Sequence, residues 1–156
     1  MRIPFRLAIG ILAVLSLTIG WGVIDTSRAE ARPLGPDSLV VVDIDIKPGS
    51  DPNSINCNNA NETITVAILT TDDFDATAVD HTTVTFEGAS ETHIDRRKGV
   101  ARRHVEDVDL DGDLDLLLHF RLGETDLDCD SALGILTGET FDGTAFEGMD
   151  DVNMIG

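Results

Sequence analysis

The sequence predicts an all-β fold of the sandwich class, and three observations lead to this prediction. Short segments with apolar residues at every second position recur along the chain, and turn-forming residues separate them. No stretch of useful length repeats its apolar residues with the period of a helix. Seven or eight short strands at this spacing are typical of a β-sandwich, and we expect an immunoglobulin-like arrangement.

The strands are predicted from alternating apolar residues, which are expected to face the core. The clearest sets are Val40, Val42, Ile44 and Ile46; Ile64, Val66 and Ile68; Val84 and Phe86; and Leu114, Leu116, Leu118 and Phe120. Residues 100–107, 132–136 and 152–155 are weaker candidates. In the fourth set, the intervening residues Asp115, Leu117 and His119 are expected on the opposite face.

The first 29 residues are predicted to be an export signal. Arg2 and Arg6 precede the apolar run 7–17, and small residues near Ala29 offer a cleavage site. An uncleaved membrane anchor is the alternative, although polar residues and glycines weaken its second half. Residues 30–38, with two prolines and a glycine, are predicted to be a linker, and 39–156 the folded domain. The protein is therefore expected outside the cell or at its surface (in the periplasm of a Gram-negative cell).

The chain is strongly acidic, with a formal net charge of −18 at pH 7. Without Arg2, Arg6, Arg28 and Asp25 of the signal, 8 basic and 28 acidic residues remain. Nucleic acid and anionic membrane are excluded as expected partners, because this charge repels phosphate. An acidic surface suits salty surroundings or the collection of divalent cations, and composition alone does not choose between them.

The two cysteines, Cys57 and Cys129, are expected to form one disulfide. An even number of cysteines in an exported chain favours pairing. Neither cysteine has a histidine or another cysteine at the spacing of a metal site.

The strongest functional pattern is the aspartate run DVDLDGDLD, residues 107–115. It consists of Asp107, Asp109, Asp111, Asp113 and Asp115, with Gly112 at the bend. Calcium takes six to eight oxygen ligands, and alternate aspartates on a curling loop can supply them. The twelfth position is Leu118 rather than the bidentate glutamate of an EF-hand, and the flanks alternate like strands. The sequence therefore predicts an inter-strand calcium loop, for which magnesium is less suited; a solvated acidic turn is the alternative.

Four segments in the same order resemble an uncharacterised β-rich domain of exported bacterial proteins. They are IDIKPGSDPNSIN (44–56), VAILTTDDFDATAVD (66–80), EDVDLDGDLDLLLHF (106–120) and LTGETFDGTAFEG (136–148). The resemblance implies a calcium-loop module without an assigned catalytic activity. The loops of such domains often read Asn-Gly-Asp-Gly, where this chain has residues 109–112, Asp-Leu-Asp-Gly.

Three further patterns leave alternatives open. Ser50 to Asn56 is a second oxygen-rich turn, which either binds an ion or caps the preceding strand. The basic cluster Arg96, Arg97, Lys98, Arg102 and Arg103 is either a contact patch for an acidic partner or a solvated loop. The histidines His81, His93, His104 and His119 form no known ligand motif.

The similarity of two segments within the chain suggests a structural pseudo-repeat. Residues 68–78, ILTTDDFDATA, and 135–145, ILTGETFDGTA, match at seven of eleven positions. Phe74 and Phe141 are expected to be buried in both copies, and Asp75 and Asp142 to bond their own turns. Chance similarity between two turns is the alternative.

These patterns predict a secreted, non-catalytic calcium-binding module with a structural or adhesive role. Its expected partners are the calcium ion and a cell-surface glycan or protein. Two alternatives remain, a small secreted hydrolase using paired aspartates and a calcium-dependent glycan-binding module. The low aromatic content, with no tyrosine, disfavours a sugar-cleaving cleft.

Overall fold

The computed structural model of the chain describes residues 39–95 and 97–156. The predicted signal (1–29), the linker (30–38) and Arg96 lie outside the described residues. Within that part of the chain there is no α-helix, and no helix is long and apolar enough to cross a membrane. The all-β prediction is confirmed.

The strands are short, and most coincide with predicted ones. They are β1 (Val40–Val42), β2 (Ile44–Ile46), β3 (Ser54–Asn56), β4 (Thr63–Ile68), β5 (Thr85–Phe86), β6 (Ala89–Ser90), β7 (Ile94–Asp95), β8 (Val100–Ala101), β9 (His104–Glu106), β10 (Asp115–Arg121), β11 (Leu133–Glu139), β12 (Ala145–Asp151) and β13 (Asn153–Ile155). Two single-turn 3-10 helices, Ala76–Ala78 and Leu122–Glu124, lie in the connections.

Two larger sheets carry the fold. One has the order β1-β12-β11-β5-β6, and the other has the order β2-β4-β10-β9. The first predicted strand breaks at Asp43, so that β1 pairs in parallel with β12 while β2 pairs antiparallel with β4 in the other sheet. Smaller ladders join β13 to β3 and β7 to β8.

Side chains from both larger sheets form one hydrophobic core. The largest fully buried residues are Phe86, Phe120, Phe146, Ile46, Ile64, Ile68, Leu116, Leu118 and Leu136, joined by Ile55 of the small β3–β13 ladder. Phe86 of one sheet and Phe120 of the other place their ring centroids 5.4 Å apart. Burying a side chain of this size stabilises the fold by about 1.5–3 kcal/mol.

Two glycines allow the sheets to approach each other. A Cβ on Gly148 of β12 would lie 2.5 Å from Ile44 Cγ2, and one on Gly134 of β11 would lie 2.8 Å from Ile46 Cδ1, and both isoleucines belong to β2 of the other sheet. Such distances are far inside van der Waals contact. A larger residue at either position would push core side chains apart.

The predicted disulfide between Cys57 and Cys129 is confirmed, with Cα atoms 5.2 Å apart. Cys57 directly follows β3, and its N–H donates to the carbonyl of Ile155 in β13 at 2.9 Å. The bond therefore ties the β3–β13 ladder to the segment that leads into β11.

The pseudo-repeat prediction is wrong. Phe74 packs on Phe146, with ring centroids 5.5 Å apart, but Phe141 is 64% exposed. The difference follows from position, because Phe141 lies at the tip of the β11–β12 hairpin, whereas the first copy runs from β4 into the 3-10 helix at Ala76–Ala78. Only the turn chemistry is shared: Asp75 and Asp142 each accept the N–H of the threonine two residues later.

Candidate metal centre

The aspartate run forms the loop that joins β9 to β10. These strands pair antiparallel, with Glu106 opposite Asp115, so the loop closes a hairpin at one edge of the four-stranded sheet. Leu110 and Gly112 have φ angles of +65° and +105°. Two left-handed residues so close together bend the chain sharply, a conformation that glycine tolerates and leucine resists.

Alternate aspartates fold the loop around their own side chains. The carboxylate of Asp109 accepts the N–H of Asp111 at 3.2 Å, and that of Asp111 accepts the N–H of Asp113 at 2.9 Å. Each bond is an Asx turn, in which a short acidic side chain mimics the backbone acceptor of a turn. The spacing of the sequence thus produces the curl that was expected of a ligating loop.

Three of the five predicted aspartates come together. One oxygen from each of Asp107, Asp109 and Asp115 lies within 4.8 Å of the others, and among the described residues this is the one such group of three metal-ligating side chains. Asp109 is exposed, Asp107 is half-buried and Asp115 is fully buried. Asp111 and Asp113 are exposed and do not belong to the group.

Asp115 is the anchor of the group. Its carboxylate accepts the N–H of Thr70 at 2.9 Å and the N–H of Val108 at 2.8 Å, while the Thr70 hydroxyl donates to the carbonyl of Leu114 at 2.7 Å. Thr70 lies in the segment after β4, and this segment therefore covers the face of the sheet opposite the core, on which Asp115 was expected. Asp115 is buried as a result. Leu114, expected in the core, is 49% exposed because it precedes the first residue of β10.

The carboxylate oxygens of the group are not all satisfied by protein donors. Asp107 Oδ1 is buried and has no hydrogen-bond partner among the described residues. Partial desolvation, followed by the charges of Asp111 and Asp115, raises the pKa of Asp109, while the N–H of Asp111 acts in the opposite direction. A buried, unpaired carboxylate oxygen beside two further carboxylates is unfavourable without a compensating positive charge. Hard oxygen donors of this kind are the ligands that Ca²⁺ prefers.

A groove of about 600 Å³ lies beside the loop. Its lining includes Asp107 and Leu110 of the loop, Thr63 and Thr65 of β4, and Lys47. The groove thus places hydroxyl, carboxylate and apolar groups next to the candidate metal ligands.

The second oxygen-rich turn is used for structure. The side-chain amide of Asn53 donates to the carboxylate of Asp150 and to the carbonyl of Asp151, both at 2.9 Å, and Asn56 Oδ1 accepts the N–H of Asn58 at 3.0 Å. These bonds tie the turn to the end of β12 and cap its own backbone. Turn chemistry therefore accounts for Asn53 and Asn56.

The described members of the basic cluster lie on the surface. Arg97, Lys98, Arg102 and Arg103 are exposed, in and after the turn between β7 and β8. Arg103 donates to the carbonyl of Thr77. A contact patch and a solvated loop both require such exposure, so this placement does not choose between the two alternatives.

Three of the four histidines meet, which the sequence did not indicate. The ring centroids of His93 and His104 are 4.6 Å apart, and the ring of His119 stands at 5.5 Å and 5.7 Å from them. Glu91 lies beneath this histidine cluster, and its carboxylate accepts the N–H groups of His93 and His119, both at 2.6 Å. Desolvation lowers the pKa of His119, although the charge of Glu91 acts against it. No short motif links positions 93, 104 and 119, because the cluster depends on the pairing of β9 with β10 and on the bonds from Thr92 to the carbonyl of His119.

Comparisons with known proteins add no relative. A scan against protein-family models finds no match, and searches of the curated proteins and of the solved structures find none either.

Proposed function

We propose that the chain is a secreted, non-catalytic structural or adhesive module that binds one calcium ion in the β9–β10 loop. The observation that carries this proposal is the three-carboxylate group of Asp107, Asp109 and Asp115, with its buried and unpartnered oxygen. A divalent cation there would neutralise the repulsion among the carboxylates. Calcium fits better than magnesium, because magnesium gives up its water reluctantly and rarely takes several protein carboxylates.

The proposed ion would act on the fold rather than on a substrate. Asp115 begins β10, the central strand that pairs with both β4 and β9. Asp107 and Asp109 lie on the loop, so an ion bound to all three would fix the loop onto the sheet. Loop residues Asp111 and Asp113 stay candidates for further ligation, through side-chain or carbonyl oxygens.

We also propose the immunoglobulin-like sandwich as the architecture of this module. Two observations support it: both larger sheets contribute to one core, and the first strand switches from one sheet to the other at Asp43. Strands that change sheets in this way are a feature of sandwich folds.

Calcium titration by calorimetry tests the proposed site. We expect one site, with a Kd of about 0.1–1 mM as in extracellular modules. Asp109→Ala should abolish the binding, whereas Asp72→Ala, which removes an exposed aspartate outside the loop, should leave it intact. Equal calcium binding by both variants would place the ion elsewhere and contradict the proposal.

The groove beside the loop favours a second candidate function, calcium-dependent glycan binding. Sugar hydroxyls could bond to Thr63, Thr65 and the carboxylate of Asp107, all of which line the groove. A glycan array with and without chelator separates the two functions. Binding that disappears with chelator supports the glycan module, and no binding in either condition supports the structural module.

A further inference from the structure

The histidine cluster, His93, His104 and His119, is assembled by strand pairing. His104 lies opposite Leu117 in the β9–β10 ladder, two residues from His119 in β10. Thr92 donates its N–H and its hydroxyl to the carbonyl of His119, at 2.8 Å and 2.9 Å. These bonds bring His93 to the same side of β10, where all three rings are half-buried.

Two of the imidazoles already meet nitrogen to nitrogen. His104 Nε2 and His93 Nδ1 are 2.9 Å apart and share a hydrogen bond, and the ring planes differ by 15°. An imidazole nitrogen that accepts a hydrogen bond carries a free lone pair and belongs to a neutral ring. The contact therefore joins a donor nitrogen to an acceptor nitrogen, and it holds two metal-ligating atoms side by side.

The spacing of this pair matches two ligands of one ion. Two imidazole nitrogens bound to zinc at about 2.0–2.1 Å are roughly 3–3.4 Å apart, and their ring centroids, each about 1.1 Å further out, are roughly 4.6–5.2 Å apart. The observed separations are 2.9 Å between the nitrogens and 4.6 Å between the centroids. Replacement of the shared proton by a metal ion would need little movement of either ring.

His119 supplies the third ring and its orientation. Its plane stands at 86° to that of His93 and at 81° to that of His104. Its Nδ1 is buried, has no hydrogen-bond partner among the described residues, and lies 3.9 Å from Glu91 Oε1. A carboxylate that faces the second nitrogen of a ligating histidine is the usual means of fixing its tautomer. The three rings do not bring one nitrogen each within 4.8 Å of one another. His119, at centroid distances of 5.5 Å and 5.7 Å, must therefore move toward the pair to complete the site.

The charges around the cluster are compatible with a cation. Glu91 is the buried carboxylate beneath it, with 2% of its side chain exposed. The neighbouring cavity is lined by one carboxylate, Asp95, and by two guanidinium groups, Arg97 and Arg102. The charge of a divalent ion at the rings would therefore be offset by Glu91 and not by the adjacent cavity, whose charged residues have an excess of one positive charge.

We propose that His93, His104 and His119 form a binding site for a divalent late transition ion such as zinc, with Glu91 as the orienting carboxylate. Imidazole nitrogen suits zinc, copper and nickel, whereas calcium prefers oxygen. The site is therefore chemically separate from the aspartate loop and does not depend on the proposed calcium function.

Zinc titration of the full chain in excess calcium tests the site, because calcium occupies the oxygen ligands. We expect one equivalent of zinc to bind, and His93→Gln or His104→Gln to weaken the affinity at least tenfold. Glu91→Gln should weaken it by about 10- to 100-fold, the usual effect of losing an orienting partner. His81→Gln, which changes a histidine outside the cluster, is the matched control and should bind like the unchanged chain.

Nitrogen NMR of the imidazoles keeps the test independent of how the variants fold. Zinc should shift the ring resonances of His93, His104 and His119 and leave those of His81 in place. Zinc binding that survives in both His93→Gln and His104→Gln, or ring resonances that do not respond to zinc, would overturn the proposal.

Discussion

The disulfide offers a sharp test of how this small domain is stabilised. Cys57 and Cys129 are separated by 72 positions along the chain, and the bond attaches the three-residue β3–β13 ladder to the segment before β11. Replacing both cysteines with serine removes the crosslink while nearly preserving side-chain volume. The unfolded chain then gains the conformational entropy that the crosslink had removed.

The size of the effect follows from the length of the closed loop. Closing a loop of this length lowers the entropy of the unfolded chain by an amount equivalent to about 4 kcal/mol at 25 °C. For a domain of this size, that loss lowers Tm by about 15 °C. This is a large part of the 5–15 kcal/mol that is typical of the free energy of unfolding of a domain.

Urea unfolding of the unchanged chain and of Cys57→Ser/Cys129→Ser measures the difference. The control is the unchanged chain after reduction, because it loses the disulfide but keeps the cysteine side chains. Its free energy of unfolding should fall by the same amount. A loss below about 1 kcal/mol in both samples would refute the entropic reasoning. If the free energy of unfolding falls in the serine variant alone, the substituted side chains, and not the missing disulfide, cause the destabilisation.

Two further predictions concern the backbone and the acid response. Leu110→Gly should raise the free energy of unfolding by up to about 1 kcal/mol, because glycine accepts the left-handed φ that leucine resists. The control is Leu114→Gly, at an exposed leucine with an ordinary φ, which should lower the free energy of unfolding. If urea unfolding gives changes of the same sign for both variants, this explanation is wrong. The hydroxyl and then the N–H of Thr82 lower the pKa of Asp80. The contribution of Asp80 to stability is thus present above its unfolded pKa of about 4 and is lost as pH falls through the lower folded value. Carboxyl-carbon NMR titration should show a higher Asp80 pKa in Thr82→Ala, and an unchanged pKa would assign the shift to another cause.

Much of the fold was predictable because period-two patterns report directly on burial. Ile64, Val66 and Ile68 are fully buried along β4, as their alternation predicted. Phe141 shows the limit of such patterns, since its sequence matches that of Phe74 but, at its hairpin tip, the described residues leave it largely exposed. Burial at a turn depends on what packs over it, and the local sequence does not contain that information.

The two candidate sites differ in how much of each could be predicted from the sequence. The aspartate loop is local, so spacing alone predicted its curl. The burial of Asp115, however, depends on Thr70, which is 45 positions away. The histidine cluster is nonlocal throughout, because His104 reaches His119 through the pairing of β9 with β10, and His93 reaches it through the hydrogen bonds from Thr92 to the carbonyl of His119. Sequence patterns therefore found the loop and included Asp115 in it, but they did not predict the burial of Asp115 or the histidine cluster.

Melting in calcium against chelator, at matched ionic strength, tests the proposed calcium function most directly. With a Kd of about 0.1–1 mM, about 10 mM calcium stabilises the folded state by roughly 1.4–2.7 kcal/mol. Differential scanning calorimetry should therefore show Tm rising by about 4–10 °C in the unchanged chain and in Asp72→Ala, and not in Asp109→Ala. An unchanged Tm in the unchanged chain would contradict the calcium function and leave the loop as an acidic turn.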